Sequence, residues 1–387
     1  MERRYVKLWR FSPPLGEGRE TAHLRRPRGW PFDRVERLPP RGSAKRRVSP
    51  ALPEGEGECG ARGIRVASLA AHGTARHQFR VATFPPDRAA TGETAYLDLL
   101  HRVWDTGARR GDRTGTGTRA LFGETLRFDL SDGSVPLLTT KRVFWKTAVR
   151  ELLWFLSGDT SIVPLVRQGV HIWTDWPLDK YNATSGEALR RDTFEARLLN
   201  DDAFAAQWGD LGPVYGHQWR HWPRFPGDAE GIDQIAALVA GLRTNPASRR
   251  HLFTGWNVAD LPRMALPPCH MTYQYFVADG RLSGILYQRS CDLGLGFAFN
   301  IFEAALLLRM IAQQCDLEPG EIVWMGADCH VYLNHADLVA TQLARAPKPF
   351  PQLRLTRRPA SIFDYAFDDI AVDGYDPHPA IAAPVAV

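Results

Sequence analysis

Between residues 301 and 315 the chain reads Ile301-Phe302-Glu303-Ala304-Ala305-Leu306-Leu307-Leu308, then Arg309-Met310-Ile311-Ala312-Gln313-Gln314-Cys315. This run is apolar nearly all round, and a surface helix would show only one apolar stripe. The segment is therefore predicted to be a helix buried in the centre of the fold. Strands expected at 251–256, 273–277 and 281–288 form the middle of a sheet. Two more, near 322–324 and 352–355, flank a helix starting at Asn334-His335. Upstream, Tyr96, Leu99, Leu100 and Val103 share one face of a helix that ends before Gly107, and a strand follows at 118–129. Val149, Leu152, Leu153 and Leu156 mark a core-facing helix over 146–156, and an amphipathic helix at 232–242 is stopped by Asn245-Pro246. Residues 177–206 are polar, acidic and poorly periodic, so they read as an inserted helical excursion.

Charge divides the chain. Residues 1–90 hold 17 Arg, 2 Lys and 9 acidic residues, a net +10 against +5 for all 387 residues, so the remainder carries −5. The leading segment mixes Pro, Gly and Arg with few periodic apolar residues and cannot offset its chain entropy by burial. Two regions are expected: a largely disordered leader, 1–90, and one folded domain, 91–387. A nucleic-acid-binding arm around Lys45-Arg46-Arg47 is the functional alternative for the leader, and a start codon chosen too far upstream is the bland one. Its acidic residues argue against a transit peptide. Five cysteines without a C-x-x-C pair, and no signal peptide or 18-residue apolar run, point to a reducing cytosol. No metal spacing is found: His330 and His335 lack a carboxylate–His pattern.

One cysteine is placed as a nucleophile would be. In Pro267-Pro268-Cys269-His270 the prolines hold the backbone extended and forbid a helix before the thiol. Arg249-Arg250 precede it and Arg289-Ser290 follow it, each beside an expected strand. Guanidinium groups near a thiol favour the thiolate, and they also bind phosphate through forked hydrogen bonds. Most buried cysteines are inert, so the arginines carry this reading. Glu151 lies beside the apolar stripe of its helix; at a cavity edge its pKa would rise and it could act as acid or base. The Gly111–Thr118 stretch, in which glycines alternate with hydroxyl residues around Arg113, could admit an anion, although such runs are usually plain turns.

Together these residues resemble the thymidylate synthases of the folate-dependent, cysteine-nucleophile type, from about Thr94 to Val387. The motifs are Asp112-Arg113-Thr114-Gly115-Thr116-Gly117-Thr118, Glu151-Leu152-Leu153-Trp154-Phe155-Leu156, Gly209-Asp210-Leu211-Gly212-Pro213-Val214-Tyr215-Gly216 and Pro268-Cys269-His270. In the same order follow Tyr287-Gln288-Arg289-Ser290-Cys291-Asp292, Phe299-Asn300-Ile301 and His330-Val331-Tyr332-Leu333-Asn334-His335, with a matching C-terminus. The resemblance implies a three-layer α/β (α+β) fold with a large mixed β-sheet at a dimer face and a buried central helix. It implies a methyltransferase that converts dUMP to dTMP with 5,10-methylenetetrahydrofolate and no metal, in a cytoplasmic homodimer with shared active sites; neither membrane nor nucleic acid is an implied partner.

Residue by residue, the resemblance makes Cys269 the nucleophile and Glu151 the centre of a proton-moving network, helped by Tyr215, His270 and Asp328. Arg113, Arg289 and Ser290 match phosphate ligands, with Cys291 and Asp292 in the same substrate motif. Arg249 and Arg250 match a pair that reaches into the neighbouring subunit's site. His330, Val331 and Tyr332 match the segment that holds the sugar 3′-hydroxyl, and Asn300 the amide that reads uracil. On the folate side stand Asp292, Trp173, Leu295 and Gly296, with Lys141 near the polyglutamate tail and Ala386 and Val387 forming a lid. Departures gather on that side: Phe144 where some members have His, Ala298 for a Pro, Gly294 for a bulkier apolar residue, and Phe302-Glu303-Ala304 for a run of small residues. They imply a looser folate loop, and they weakly motivate a nucleotide hydroxymethylase, in which water traps the methylene, as the alternative.

Overall fold

The computed structural model describes residues 92–385 except 113, 114, 226 and 229, all within the unit Arg80–Val387. The expectations for the leader, for Arg113 and for Ala386 and Val387 lie outside the described residues. Helix α1 (Glu93–Thr106) buries Tyr96, Leu99, Leu100 and Val103, the four whose spacing marked it. Glu93, in its first turn, accepts hydrogen bonds from the backbone N–H and hydroxyl of both Thr139 and Thr140 at 2.6–2.8 Å, which pins the loop before Lys141. Strands β1 (Ala108–Arg110) and β2 (Thr118–Asp129) follow, then helix α2 (Trp145–Ser157), which stops at Gly158 in the left-handed conformation.

Next come α3 (Val163–Arg167), α4 (Asp175–Ser185), α5 (Arg191–Asn200) and α6 (Asp202–Trp208). The excursion expected at 177–206 is helical, and it owns a small aromatic core: Tyr181, Phe194, Phe204 and Trp208 meet at centroid separations of 5.0–5.8 Å. Periodicity missed that core because its four aromatic residues are spread over three short helices, one each from α4 and α5 and two from α6. Helices α7 (Tyr215–Arg220) and α8 (Gln234–Thr244) lead to β3 (Leu252–Thr254), β4 (His270–Ala278), β5 (Arg281–Asp292), α9 (Gly296–Gln314) and β6 (Glu318–Tyr332). The chain closes with α10 (Ala336–Leu343), β7 (Gln352–Leu355) and β8 (Ile370–Asp373).

Six strands form one mixed sheet in the order β1-β2-β6-β5-β4-β3, while β7 and β8 pair separately. All neighbours in the large sheet are antiparallel except β5 and β6, which α9 joins as a crossover. Fourteen of the 19 residues of α9 are buried, so the helix is enclosed as its composition demands, with the sheet on one side and α2 on another. It has the length and apolarity of a membrane-crossing helix, yet 72% of that stretch is buried inside the fold. Sheet, α9 and the α2–α7 helices thus make three layers. Strand β6 runs 15 residues where three were expected, because pairing with β2 and β5 on both sides overrides its Pro, Gly and Asp content. The sheet face turned away from α9 exposes Leu252, Phe276, Ile285, Tyr287 and Met325; Tyr287 and Met325 lie directly opposite each other.

Candidate active site

Cys269 is half-buried at the start of β4, where the loop from the two prolines enters the sheet. Arg289, on the neighbouring strand β5, is built around it. Its backbone N–H donates to the Cys269 carbonyl at 2.9 Å. Its Nε and Nη2 donate to the carbonyls of Pro268 and Pro267, each at 2.8 Å, and Nη2 lies 4.0 Å from the Cys269 Sγ. The guanidinium also sits 5.2 Å from the centre of the Trp256 ring. Proline supplies carbonyls with no N–H of their own, so the same Pro-Pro step that stiffens the approach also anchors the cation beside the sulfur. A positive charge at that distance favours thiolate over thiol.

Tyr215 holds the cysteine from the other side: the Cys269 N–H donates to its Oη at 2.8 Å. Tyr215 opens α7 and can sit there because α7 lies against α2; a Cβ on Gly216 would come 2.4 Å from the Phe155 carbonyl oxygen. The Tyr215 ring stacks on Phe155 at 4.8 Å and on His270 at 4.4 Å, and meets Trp173 edge-on at 5.8 Å. Trp173 in turn donates its indole N–H to Glu151 Oε1 at 2.7 Å. Cys269, Tyr215, Trp173 and Glu151 therefore form one connected chain of contacts, with Glu151 buried rather than snorkelling to solvent.

Burial sets the protonation states here. It raises the Glu151 carboxyl above the ordinary range, opposed by the hydrogen bond from Trp173, and pushes the Tyr215 phenol well above its usual value. It pulls His270 down to about 3, so this imidazole is neutral in solution near pH 7 and takes part only as a neutral donor or acceptor; its Nδ1 is 3.0 Å from the Tyr273 hydroxyl.

A second relay was missed by sequence reasoning. Trp324, on β6, donates its indole N–H to Gln288 Oε1 at 2.8 Å, and Gln288 Nε2 donates to Asn300 Oδ1 at 2.8 Å. An indole N–H can only donate, so it fixes which end of Gln288 is which, and Gln288 fixes Asn300. The Asn300 amide keeps one oxygen lone pair and its NH2 group for a ligand, the acceptor–donor pair that matches a uracil N3–H and O4. Gln288 is 1% exposed and lies in a quoted motif, but nothing in the sequence pairs it with Trp324, 36 residues on.

The remaining candidates divide. Asp328 accepts hydrogen bonds from Arg110 and from His330 Nδ1 (3.2 Å), and chiefly the His330 bond holds its carboxyl below the usual range. It is an anion held against the imidazole by these bonds. His330 and Tyr332 meet edge-on at 5.4 Å on the same strand. Ser290 lies opposite Asp328 and Asp292 opposite His330, which brings those motifs together. The side chains of Cys291 and Val331 are sealed in the core, so a nucleotide could meet only their backbone. Arg249 and Arg250 are exposed in the turn before β3, outside the hydrogen bonds that surround Cys269.

The Asp292–Gly296 loop, expected to be loose, is tied at several points. Asp292 Oδ1 accepts from the Gly294 N–H at 2.8 Å, and Lys141 donates from Nζ to the Gly294 carbonyl. A Cβ at Gly294 would lie 2.6 Å from His335 Nδ1, so the departure at this position makes room for that imidazole. His335 Nε2 in turn contacts the Pro384 carbonyl at 2.8 Å, which joins the C-terminal segment to the loop. Lys141 is buried, its pKa drawn down to about 8 by burial, and its amine is turned to the loop rather than outward to a polyglutamate tail. Leu295 and Gly296 are half-buried at the start of α9, and Phe144 stands 62% exposed at the start of α2. Among the described residues no group of three His, Cys, Asp or Glu side chains converges as a metal site would require.

Residues 94–387 match the family model described as thymidylate synthase. A thymidylate synthase of Rhizorhabdus wittichii is 67% identical over 303 residues, covering 76% of this chain and 98% of its own length. Those of Sphingopyxis alaskensis and Novosphingobium aromaticivorans are 64% and 59% identical, covering 76% of this chain and 98% and 96% of theirs.

Proposed function

The chain belongs to the thymidylate synthase family, methyltransferases that convert dUMP to dTMP, and on that premise we propose how its own residues carry the reaction. The observation that carries the assignment is Cys269 held between the Arg289 guanidinium and the Tyr215 hydroxyl. Carbon 5 of uracil is a poor nucleophile until something adds to carbon 6. The Cys269 thiolate adds there, the ring electrons move onto O4, and carbon 5 becomes nucleophilic; loss of the carbon 5 proton and expulsion of the thiolate later restore the ring. Methylenetetrahydrofolate supplies the transferred carbon and the hydride, and leaves as dihydrofolate.

Each step asks something of a named residue. Arg289 offsets the thiolate's charge and, with Ser290 and Arg113, binds the phosphate. Asn300, oriented by Gln288, donates to O4 and accepts from N3–H, so that charge developing on O4 meets a donor already in place. Glu151 exchanges protons with the base through water. His330 and Tyr332 hold the 3′-hydroxyl, with Asp328 fixing the imidazole. Trp173, Asp292, Leu295 and Gly296 form the folate side. Its fit is supported by the tied loop and by the contact between Pro384 and His335, which brings the C-terminal segment over it as a lid that excludes water.

We further propose a cytoplasmic homodimer. The exposed apolar sheet face supports a second copy docking there, and the exposure of Arg249 and Arg250 at the β3 edge of the same sheet supports a role for them at a neighbour's phosphate. Free thiols at Cys291, Cys315 and Cys329 support a reducing compartment. The experiment is Cys269→Ser: tritium release from carbon 5 of labelled dUMP and dihydrofolate formation should fall by roughly a thousandfold or more while dUMP still binds. Full turnover in that variant would end the assignment.

A further inference from the structure

One buried acid has no role in the scheme above. Glu303, on α9, is 1% exposed, and neither carboxyl oxygen accepts a hydrogen bond from a donor. A lone carboxylate there would be costly to keep. Helix α9 packs on α2, however, and the Glu303 carboxyl meets that of Glu151 within hydrogen-bonding reach. Two carboxylates cannot hydrogen-bond to each other, since both only accept. With one proton between them they become a donor and an acceptor, and the orphaned group acquires its partner.

The surroundings decide which of the two keeps the proton. Glu151 already accepts the Trp173 N–H at 2.7 Å, which favours its charged form, whereas Glu303 has no second donor. The other titratable groups near the pair are Tyr273 from β4 and Tyr215 from α7, both kept as neutral phenols by burial, and His270, kept neutral likewise; beyond Tyr215 lie Cys269 and Arg289. We propose that Glu303 is a positioning residue for Glu151: it carries a proton at neutral pH and donates it in a hydrogen bond to the Glu151 carboxylate, orienting that group and keeping it ionised. Burial, reinforced by the neighbouring Glu151, raises Glu303 well above the usual carboxyl range, and the bond lowers Glu151 against its own desolvation. The inference rests on the assignment of Glu151 to proton transfer, but the shared proton itself can be seen without turnover.

The full-length enzyme labelled with carbon-13 glutamate is compared by infrared difference spectroscopy with Glu303→Gln at pH 7. Wild type should show the C=O stretch of an un-ionised carboxyl, and Glu303→Gln should lose it. In parallel, the acid limb of kcat against pH should move up by about one unit in Glu303→Leu, which lacks a donor, and stay within about 0.3 unit in Glu303→Gln, whose amide still donates. No un-ionised band in wild type, a band that survives in Glu303→Gln, or superimposed limbs in wild type and Glu303→Leu would each overturn the proposal. If Glu303→Leu does not fold, the infrared comparison decides. Full activity in Glu151→Gln would instead sink the role given to Glu151 while leaving the shared proton measurable.

Discussion

Replacing Gln288 with leucine tests whether uracil is read by an amide that the protein has oriented in advance. Leucine keeps most of the volume and removes both polar atoms. Three hydrogen bonds disappear, one from Trp324 and one to Asn300 at 2.8 Å and one to the Ser290 carbonyl at 3.2 Å, and the fully buried Trp324 N–H is left without an acceptor. That orphaned donor should cost about 1–3 kcal/mol of stability. The bond to Asn300 is worth about 1 kcal/mol net; without it the amide is free to turn over and present its donor where the acceptor belongs. One kcal/mol is a factor of about five in an equilibrium constant. Equilibrium titrations of dUMP and dCMP, run beside urea unfolding, should show the dUMP-to-dCMP affinity ratio falling roughly fivefold while the unfolding midpoint drops. Trp324→Phe, which leaves Gln288 in place without its orienting donor, should shift the ratio in the same direction by less. A destabilised Gln288→Leu with an unchanged ratio would show that Gln288 only fills the core, and the relay argument would fail.

Tyr215→Phe keeps the stacking on His270 and Phe155 but removes the oxygen that accepts the Cys269 N–H; we expect about 1 kcal/mol of destabilisation and a drop in kcat on the order of tenfold, measured by dihydrofolate absorbance. His270 is bound neutral, with its folded pKa lowered from an ordinary 6.5 to about 3, so the unfolded chain binds the proton first and stability is lost as pH falls from about 6.5 towards 3. The stability gap between wild type and His270→Gln, read from urea midpoints, should therefore shrink between pH 7 and pH 4; a constant gap would refute it. Ile285→Glu combined with Met325→Lys places charge on the apolar sheet face and should give a monomer by sedimentation at micromolar concentration, with activity lost; a fully active dimer would place the interface elsewhere.

Much of the fold was legible because its signals were local. The four residues that mark α1 and the all-round apolarity of α9 need no knowledge of neighbours. The length of β6 did need them, since its Gly and Asp positions are acceptable only between two paired strands. The same division holds in the site. Cys269 and Arg289 stand out by type and motif, but Gln288 acts through an indole on another strand, and Glu303 showed only as part of a departure from a run of small residues. Lys141 and Asp328 stand out by residue type, while their partners, the Gly294 carbonyl for one and Arg110 with His330 for the other, are set by tertiary contacts that spacing does not encode.

The crossover from β5 through α9 to β6 also fixes an order of events during synthesis. A ribosome releases Cys269 well before Asn300, and Asn300 before His330 and Tyr332. Helix α9 can pack on α2 and β5 as soon as it forms, but its cover is complete only once β6 has returned alongside β5. A nascent chain therefore carries the sulfur before it owns the residues proposed to read the base and hold the sugar. A chain that stops ahead of β6 holds Cys269 and Arg289 without the strand that carries Trp324, Asp328, His330 and Tyr332.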